Sequence, residues 1–305
     1  MQRLTGIALK VLSALLFTVM SALIKLVGDV FPLGQIVFAR SFFAIIPVAA
    51  MLASRCELHL AVRTTRPGSH LLRAVSGVAS MFASFAALTL LPLPDVTAIG
   101  YASPLFTVVL AVLLLEERVR AYRWTAIGIG LVGVLIVLWP HLGRSGGQEH
   151  GAAGAMLALL AAAGAALAMV QVRRLTATEH TSTIVFYFSA GAACIGLATL
   201  PFGWTVPTPN QAVLLVAIGL LGGVAQLILT ESYRYADASL IAPFEYTTIL
   251  WATMLGYMVF GDVPSPVVAL GAGIVVAAGV FVIFRERQLG IERERARRAA
   301  APTAG

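Results

Sequence analysis

Apolar residues fall in ten runs, at roughly 5–27, 34–53, 71–91, 96–115, 123–140, 152–173, 183–202, 211–233, 239–260 and 266–284. Each run approaches or exceeds the roughly 20 residues that an α-helix needs to cross a hydrocarbon core. The stretches between them are short, as at Leu91-Pro92-Leu93-Pro94-Asp95. The pattern predicts an all-α polytopic membrane protein with ten transmembrane helices. The first run follows Arg3 and contains Lys10 and Lys25. It is too long for the apolar core of a signal peptide and nine more runs follow, so it reads as an uncleaved helix.

Polar positions within the runs are few and periodic. In the ninth run Glu245 would share a helical face with Thr248, Ala252 and Gly256, opposite Phe244, Ile249, Leu250 and Met254. A carboxylate inside a span is expensive and by default faces a bundle interior or a wet cavity. In the fourth run, 145 residues earlier, Gly100, Ser103, Thr107 and Ala111 hold the matching positions. The aromatic residues Tyr101, Phe106, Phe244, Tyr246 and Trp251 lie nearby and would suit a planar cargo or ordinary packing.

Other runs carry weaker stripes. The first has Lys10, Ser13, Phe17, Ser21 and Lys25 on one face; the lysines either snorkel to the interfaces or, for Lys25, guard the mouth of a cavity. Arg40 lies about two turns into the second run, where it either reaches headgroups or pairs with a carboxylate. Ser76, Ser80 and Ser84 in the third run have the four-residue spacing of close helix packing. The eighth run offers Gly219, Gly222, Gln226, Thr230 and Tyr233 on one face, with Glu231 three residues before Arg234. Spans two, five, seven and ten read as scaffold. The stretch Gly128-Ile129-Gly130-Leu131-Val132-Gly133 matches a dinucleotide fingerprint only in form, since no strand precedes it and it lies in mid-membrane. Its glycines, with Gly271, Gly273 and Gly279, read as helix-packing residues.

The chain is also internally duplicated. Gly6 aligns with Gly154, Ile36-Val37-Phe38 with Ile184-Val185-Phe186, and Ser41 with Ser189. Further on, Tyr101 falls on Tyr246, Glu117 on Asp262 and Gly128 on Gly273. Five is odd, so the second set of five helices enters the membrane from the opposite side. The halves are expected to be inverted repeats, an arrangement found in transporters.

Composition agrees, with 59% hydrophobic and 11% charged residues. The formal net charge of +7 comes with an asymmetry. With the N-terminus in the cytoplasm, the inside loops and tails collect seventeen of the twenty-one basic residues, including Arg63, Arg73 and the tail after Arg285. That is the positive-inside rule, and it predicts both termini in the cytoplasm. The basic excess is therefore a topology signal, and nucleic acid is excluded as a partner. Cys56 and Cys194 have no metal-ligand company and predict no disulfide. The five histidines (His59, His70, His141, His150, His180) are expected in loops, scattered over both sides.

Ten spans, the duplication, and the paired segments Leu114-Leu115-Glu116-Glu117-Arg118 and Phe260-Gly261-Asp262-Val263-Pro264 resemble the drug/metabolite transporter superfamily, EamA type. Tyr233–Ser239 and Ala242–Tyr246 are similar to the branch that contains bacterial riboflavin and S-adenosylmethionine carriers. The resemblance implies repeats over 1–140 and 152–284, a linker over 141–151 and a basic cytoplasmic tail over 285–305. It also implies a cavity between six inner helices, alternating access, and placement in the inner (plasma) membrane. The chain departs from two equivalent half-sites, because Leu90 stands opposite Tyr235 and Gly100 opposite Glu245.

The function expected is a secondary carrier of a small metabolite, proton-coupled or exchange-driven, since no nucleotide-binding motif is visible. The alternative is a membrane-embedded enzyme acting on a lipid-linked substrate, which would need His, Asp or Ser clustered at one interface; no such cluster forms. No cofactor and no metal are expected. The partners are the metabolite and the lipid bilayer, and a homodimer is left open. Candidate substrate-binding or coupling residues are Glu245, Thr248, Tyr246, Gly100, Ser103, Tyr101, Thr107, Gln226, Glu231, Arg40 and Lys25. For Glu245 three roles stay open: binding a cationic part of the cargo, exchanging a proton, or pairing with a cation such as Lys25 or Arg40.

Overall fold

The computed structural model describes residues 2–54, 64–115, 121–142, 149–176, 178–235 and 242–300. Glu117, Arg63 and Asp237 lie outside them. Among the described residues, eight helices are long and apolar enough to cross a membrane, and Thr183–Leu197 is a shorter apolar one. The ninth crossing, 242–260, is built from three unlike turns and completes the ten.

The first three spans are Gln2–Val27, Leu33–Ser54 and Pro67–Leu90. The fourth is two helices, Leu93–Gly100 and Ala102–Leu115, separated at Tyr101. The break follows from Pro104, which has no N–H for the carbonyl of Gly100 and whose ring crowds that carbonyl. The fifth to eighth spans are Ala121–Leu142, Glu149–Leu175, Thr181–Leu197 and Pro209–Tyr235. The ninth starts as a 3-10 helix over Ala242–Thr247, continues as the α-helix Thr248–Leu255 and ends in the π-helix Gly256–Phe260. Glu245 therefore sits on a tight 3-10 turn, and the expected α-helical face with Thr248, Ala252 and Gly256 is not continuous. The tenth span opens the helix Pro266–Ala300.

Packing follows the duplication. The first span packs on the eighth and the third on the sixth, which are counterparts under exchange of the halves. The second meets the seventh, the fourth meets the ninth and the fifth meets the tenth, each beside its own counterpart. Hydrogen bonds repeat the symmetry: Ser13 Oγ donates to the Ala225 carbonyl (2.9 Å), joining spans one and eight. Ser80 Oγ donates to the Ala161 carbonyl (2.7 Å), joining spans three and six. Of the serine stripe of span three, Ser80 serves packing in this way, while Ser76 bonds the Leu72 carbonyl of its own helix. Where spans five and ten cross, a Cβ on Gly133 would lie 2.9 Å from the Gly271 carbonyl oxygen, and one on Gly271 would lie 2.7 Å from that of Gly133. Only glycine permits that approach. Gly128 and Gly273, also expected to pack, have open space beside them.

Large apolar side chains such as Leu113, Leu131, Leu135, Trp139, Leu270 and Phe281 face outward, as lipid-solvated positions do. Three histidines leave their expected loops, and one of them, His150, lies in the first turn of the helix Glu149–Leu175. His70 is buried in the first turn of span three, against the Tyr187 ring, and His141 closes span five 3.0 Å from the Asp95 carboxylate.

Candidate functional site

Three groupings of polar side chains lie along the crossings. The first is at the rim opposite the termini. Lys25, in the last turn of span one, pairs with the Asp262 carboxylate at 2.8 Å and donates to the Leu91 carbonyl at 3.0 Å. Its ammonium also lies 4.9 Å from the centroid of the Phe260 ring. Asp262 is presented by the end of span nine: Gly261 turns left-handed (φ 70°), and the Asp262 N–H closes on the Gly256 carbonyl across the widened π turn. Asp262 also accepts from the Leu93 N–H at 3.4 Å. Spans one and nine and the Pro-rich turn between spans three and four are thereby tied together. The pair is mostly enclosed, with the side chains 16% and 19% exposed.

The second grouping is Lys10 with Glu245, toward the other rim and between the same two spans. The cation that meets Glu245 is Lys10, not Lys25 or Arg40. Lys10 is only 4% exposed whereas Glu245 is 53% exposed. Lys10 therefore does not snorkel; it holds its charge inside the bundle, and the carboxylate that balances it keeps an open side.

Between these pairs, spans four and nine cross at their irregular turns, and the duplicated tyrosines meet. The rings of Tyr101 and Tyr246 lie edge to face, 5.0 Å between centroids. The Tyr101 hydroxyl accepts from the Ile249 N–H (3.0 Å), capping the helix Thr248–Leu255, and lies 2.6 Å from Thr248 Oγ1 and 3.2 Å from the Tyr246 carbonyl. Thr248 in turn donates to the Glu245 carbonyl. The Tyr246 hydroxyl goes elsewhere, over Gly279, where a Cβ would lie 1.6 Å from it.

The third grouping is on the opposite wall. Phe188, in span seven, is overlain by the guanidinium of Arg73 (4.0 Å to the centroid) and approached by that of Arg40 (6.0 Å). Gly77 leaves the room they use, because a Cβ there would lie 2.2 Å from Arg73 Nη1 and 2.6 Å from Phe188. Arg40 reaches past Met20 of span one toward Gly222 of span eight. Spans two and seven thus supply polar and aromatic groups to the interior and are more than scaffold.

Of the residues singled out in the sequence, Tyr101, Tyr246, Thr248 and Glu245 come together. Lys25 is at the far end of the same pair of spans, and Arg40 is on the opposite wall. Gly100 has open space beside it. Thr107 bonds the Ser103 carbonyl of its own helix, and the Gln226 carbonyl accepts from Thr230 in the same way. Glu231 is half-buried near the end of span eight. Sequence reasoning missed Asp262 and Phe188 as members of these groupings, treated Lys10 as an interfacial lysine, and counted Arg73 only as a topology signal. The alignment of Asp262 with Glu117 was the available clue to the first.

Among the described residues the chain is an all-helical bundle with charged pairs strung between its crossings, the architecture of a multi-pass membrane protein. The family model of the EamA-like transporters matches residues 4–139 and 152–285, and the chain belongs to that family. It is 30% identical to the pseudopaline exporter of Pseudomonas aeruginosa over 90% of this chain and 94% of that one. It is 26% identical to the S-adenosylmethionine uptake transporter of Rickettsia prowazekii (93% and 94% covered) and 32% identical to the riboflavin transporter of Rhizobium johnstonii (74% and 73%). A solved crystal structure shares the fold, with a TM-score of 0.63, 21% identity, and 94% of this chain and 97% of that chain covered. The membrane-enzyme alternative falls away with these matches.

Proposed function

We propose that the chain is a secondary carrier that moves a small metabolite across the plasma membrane by alternating access, driven by a proton gradient or by exchange. The observation that carries this reading is that one pair of spans, the first and the ninth, is tied at both ends by lysine–carboxylate contacts, Lys10–Glu245 and Lys25–Asp262. A carrier needs a closure at each end of its path, opened in turn. Lys25–Asp262, enclosed and backed by Leu91 and Leu93, acts as the closed gate. Glu245, with its open side, is the group poised to meet cargo or a proton. Tyr101, Tyr246 and Thr248 hold the crossing about which the two halves move.

The repeats run over 1–140 and 152–284 in this reading, the linker over 141–151 and the tail over 285–305, with both termini cytoplasmic. A second copy is not required, because both ends of the path come from one chain.

The test is flux in proteoliposomes holding the purified protein, assayed with a metabolite mixture, with and without a pH gradient. Protein-dependent uptake or release of at least one metabolite supports the reading; none under any gradient or exchange condition overturns it. Topology is checked by labelling His150→Cys and Arg63→Cys, which should react from opposite sides of the membrane. Reaction from the same side would sink the ten-span arrangement.

A further inference from the structure

Arg40 and Arg73 bring two positive charges to one aromatic ring inside the bundle. A guanidinium stays protonated under any physiological condition, so neither can escape by neutralising. The buried Nε and Nη1 of Arg73 have no hydrogen-bond acceptor among the described residues. Among the described residues, three carboxylates at the crossings are engaged elsewhere: Glu245 with Lys10, Asp262 with Lys25, Asp95 with His141. Phe188 offers its π face, but a cation over a ring recovers only part of what a charge loses on leaving water. Two like charges converging on one ring also repel each other. Met20 and Gly222 beside Arg40, and Gly77 beside Arg73, are apolar or small neighbours that supply no counter-charge. Charged groups left in this condition within a membrane span mark a path for a ligand that supplies the missing charge.

Resting on the carrier reading above, we infer that Arg40 and Arg73 form the binding station for an oxyanion of the cargo, a carboxylate or a phosphate, with Phe188 as the platform between them. The planar fork of arginine matches both anions through paired N–H···O bonds, which a lysine ammonium cannot reproduce. The two residues come from spans two and three, on the wall facing the Tyr101–Tyr246 crossing. Anion binding there cancels the repulsion between the guanidiniums and draws spans two, three and seven together. An anionic group is thereby assigned to the transported molecule.

The experiment is thermal unfolding of the full-length protein in phosphatidylcholine nanodiscs, titrated with inorganic phosphate and, separately, with succinate. Ionic strength is held constant with chloride. The wild type should show a saturable rise in Tm with at least one of the two anions. Arg73→Gln and Arg40→Gln should each weaken the apparent affinity by about tenfold or more, the scale of one lost charge-assisted pair. Arg73→Lys keeps the charge and should still weaken it, while exposed Arg285→Gln should leave it unchanged. No response in the wild type, or an undiminished response in all three variants at Arg40 and Arg73, overturns the proposal. So does a Tm that, in parallel discs with increasing phosphatidylglycerol, follows the fraction of anionic lipid and ignores soluble anions. Because binding is read without flux, the outcomes separate: a wild type that binds anions but transports nothing sinks the carrier reading alone. Flux of metabolites without any anion response sinks the station alone.

Discussion

The Lys25–Asp262 closure can be opened by a single change, Asp262→Asn. At 2.8 Å the gross Coulomb attraction at an effective dielectric of 20 is about 6 kcal/mol. Most of this offsets the loss of hydration. Exposed pairs are worth about 0–1 kcal/mol, and removing one member of a buried pair costs about 3–5 kcal/mol. With side chains 16% and 19% exposed, and with Lys25 keeping the Leu91 carbonyl and the Phe260 ring, an intermediate loss of about 2 kcal/mol is expected. That shifts the open-to-closed ratio of this rim by about 30-fold. A cysteine placed at Ser21, one turn deeper on the face of Lys25, reads the change once Cys56 and Cys194 have been replaced. Its reaction with a membrane-impermeant thiol reagent, added from the side opposite the termini, should accelerate by on the order of 30-fold in Asp262→Asn. The exchanged pair Lys25→Asp with Asp262→Lys should bring the rate back toward that of the wild type. An unchanged rate in Asp262→Asn, or an increase that the exchange does not reverse, refutes the gate.

Three further outcomes are expected. Glu245→Gln should lower flux by on the order of tenfold or remove its pH dependence, because Lys10 is left enclosed beside a neutral amide; normal flux at every pH would discard Glu245 from the mechanism. Gly279→Ala should lower Tm by the equivalent of about 1–3 kcal/mol, since its Cβ would lie 1.6 Å from the Tyr246 hydroxyl, whereas Gly273→Ala, with open space, should be neutral or slightly stabilising. The Thr65 N–H, just before span three, helped by the Thr65 and Thr64 hydroxyls and by His70, holds the carboxyl of Glu179, in the loop between spans six and seven, below its ordinary 4.5. A depressed value means that its contribution is complete above 4.5 and is lost as pH falls through the lower folded value. A Tm-versus-pH profile should therefore flatten at its acid end in Glu179→Gln, and an identical profile would show that the contact does not steady the loop.

The crossings were legible because lipid imposes one simple condition, about 20 apolar residues per helix, and the runs meet it. Glu245 was legible for the same reason: a carboxylate stands out in such a run. Its partner was not, because Lys10, Lys25 and Arg40 all lie in spans and nothing local tells which one packs 235 residues away. The turn under Glu245 was also hidden. Period counting assumes 3.6 residues per turn, and the ninth span passes through three different helical pitches. Arg73 was read as a topology signal because it lies near a rim rich in basic residues; only folding shows its side chain lying on Phe188. The tyrosine alignment foresaw equivalence between Tyr101 and Tyr246 but could not foresee that equivalent residues would touch.

That contact has a consequence for the alternating access proposed above. The alignment that sets Tyr101 on Tyr246 also sets Ser103 on Thr248, so the crossing has two ways, related by exchange of the halves, to form one hydroxyl bond. Only one is made: Tyr101 reaches Thr248, while the Tyr246 hydroxyl rests over Gly279. If the repeats exchange conformations as the path opens from one side to the other, the roles at this crossing exchange with them. Tyr246 then reaches Ser103, and Tyr101 lets go of the helix it had capped. The junction would keep a constant number of bonds throughout the cycle while changing which half supplies the reaching hydroxyl. Under that exchange such an axle would turn without loosening, and which tyrosine is engaged would report which way the molecule faces.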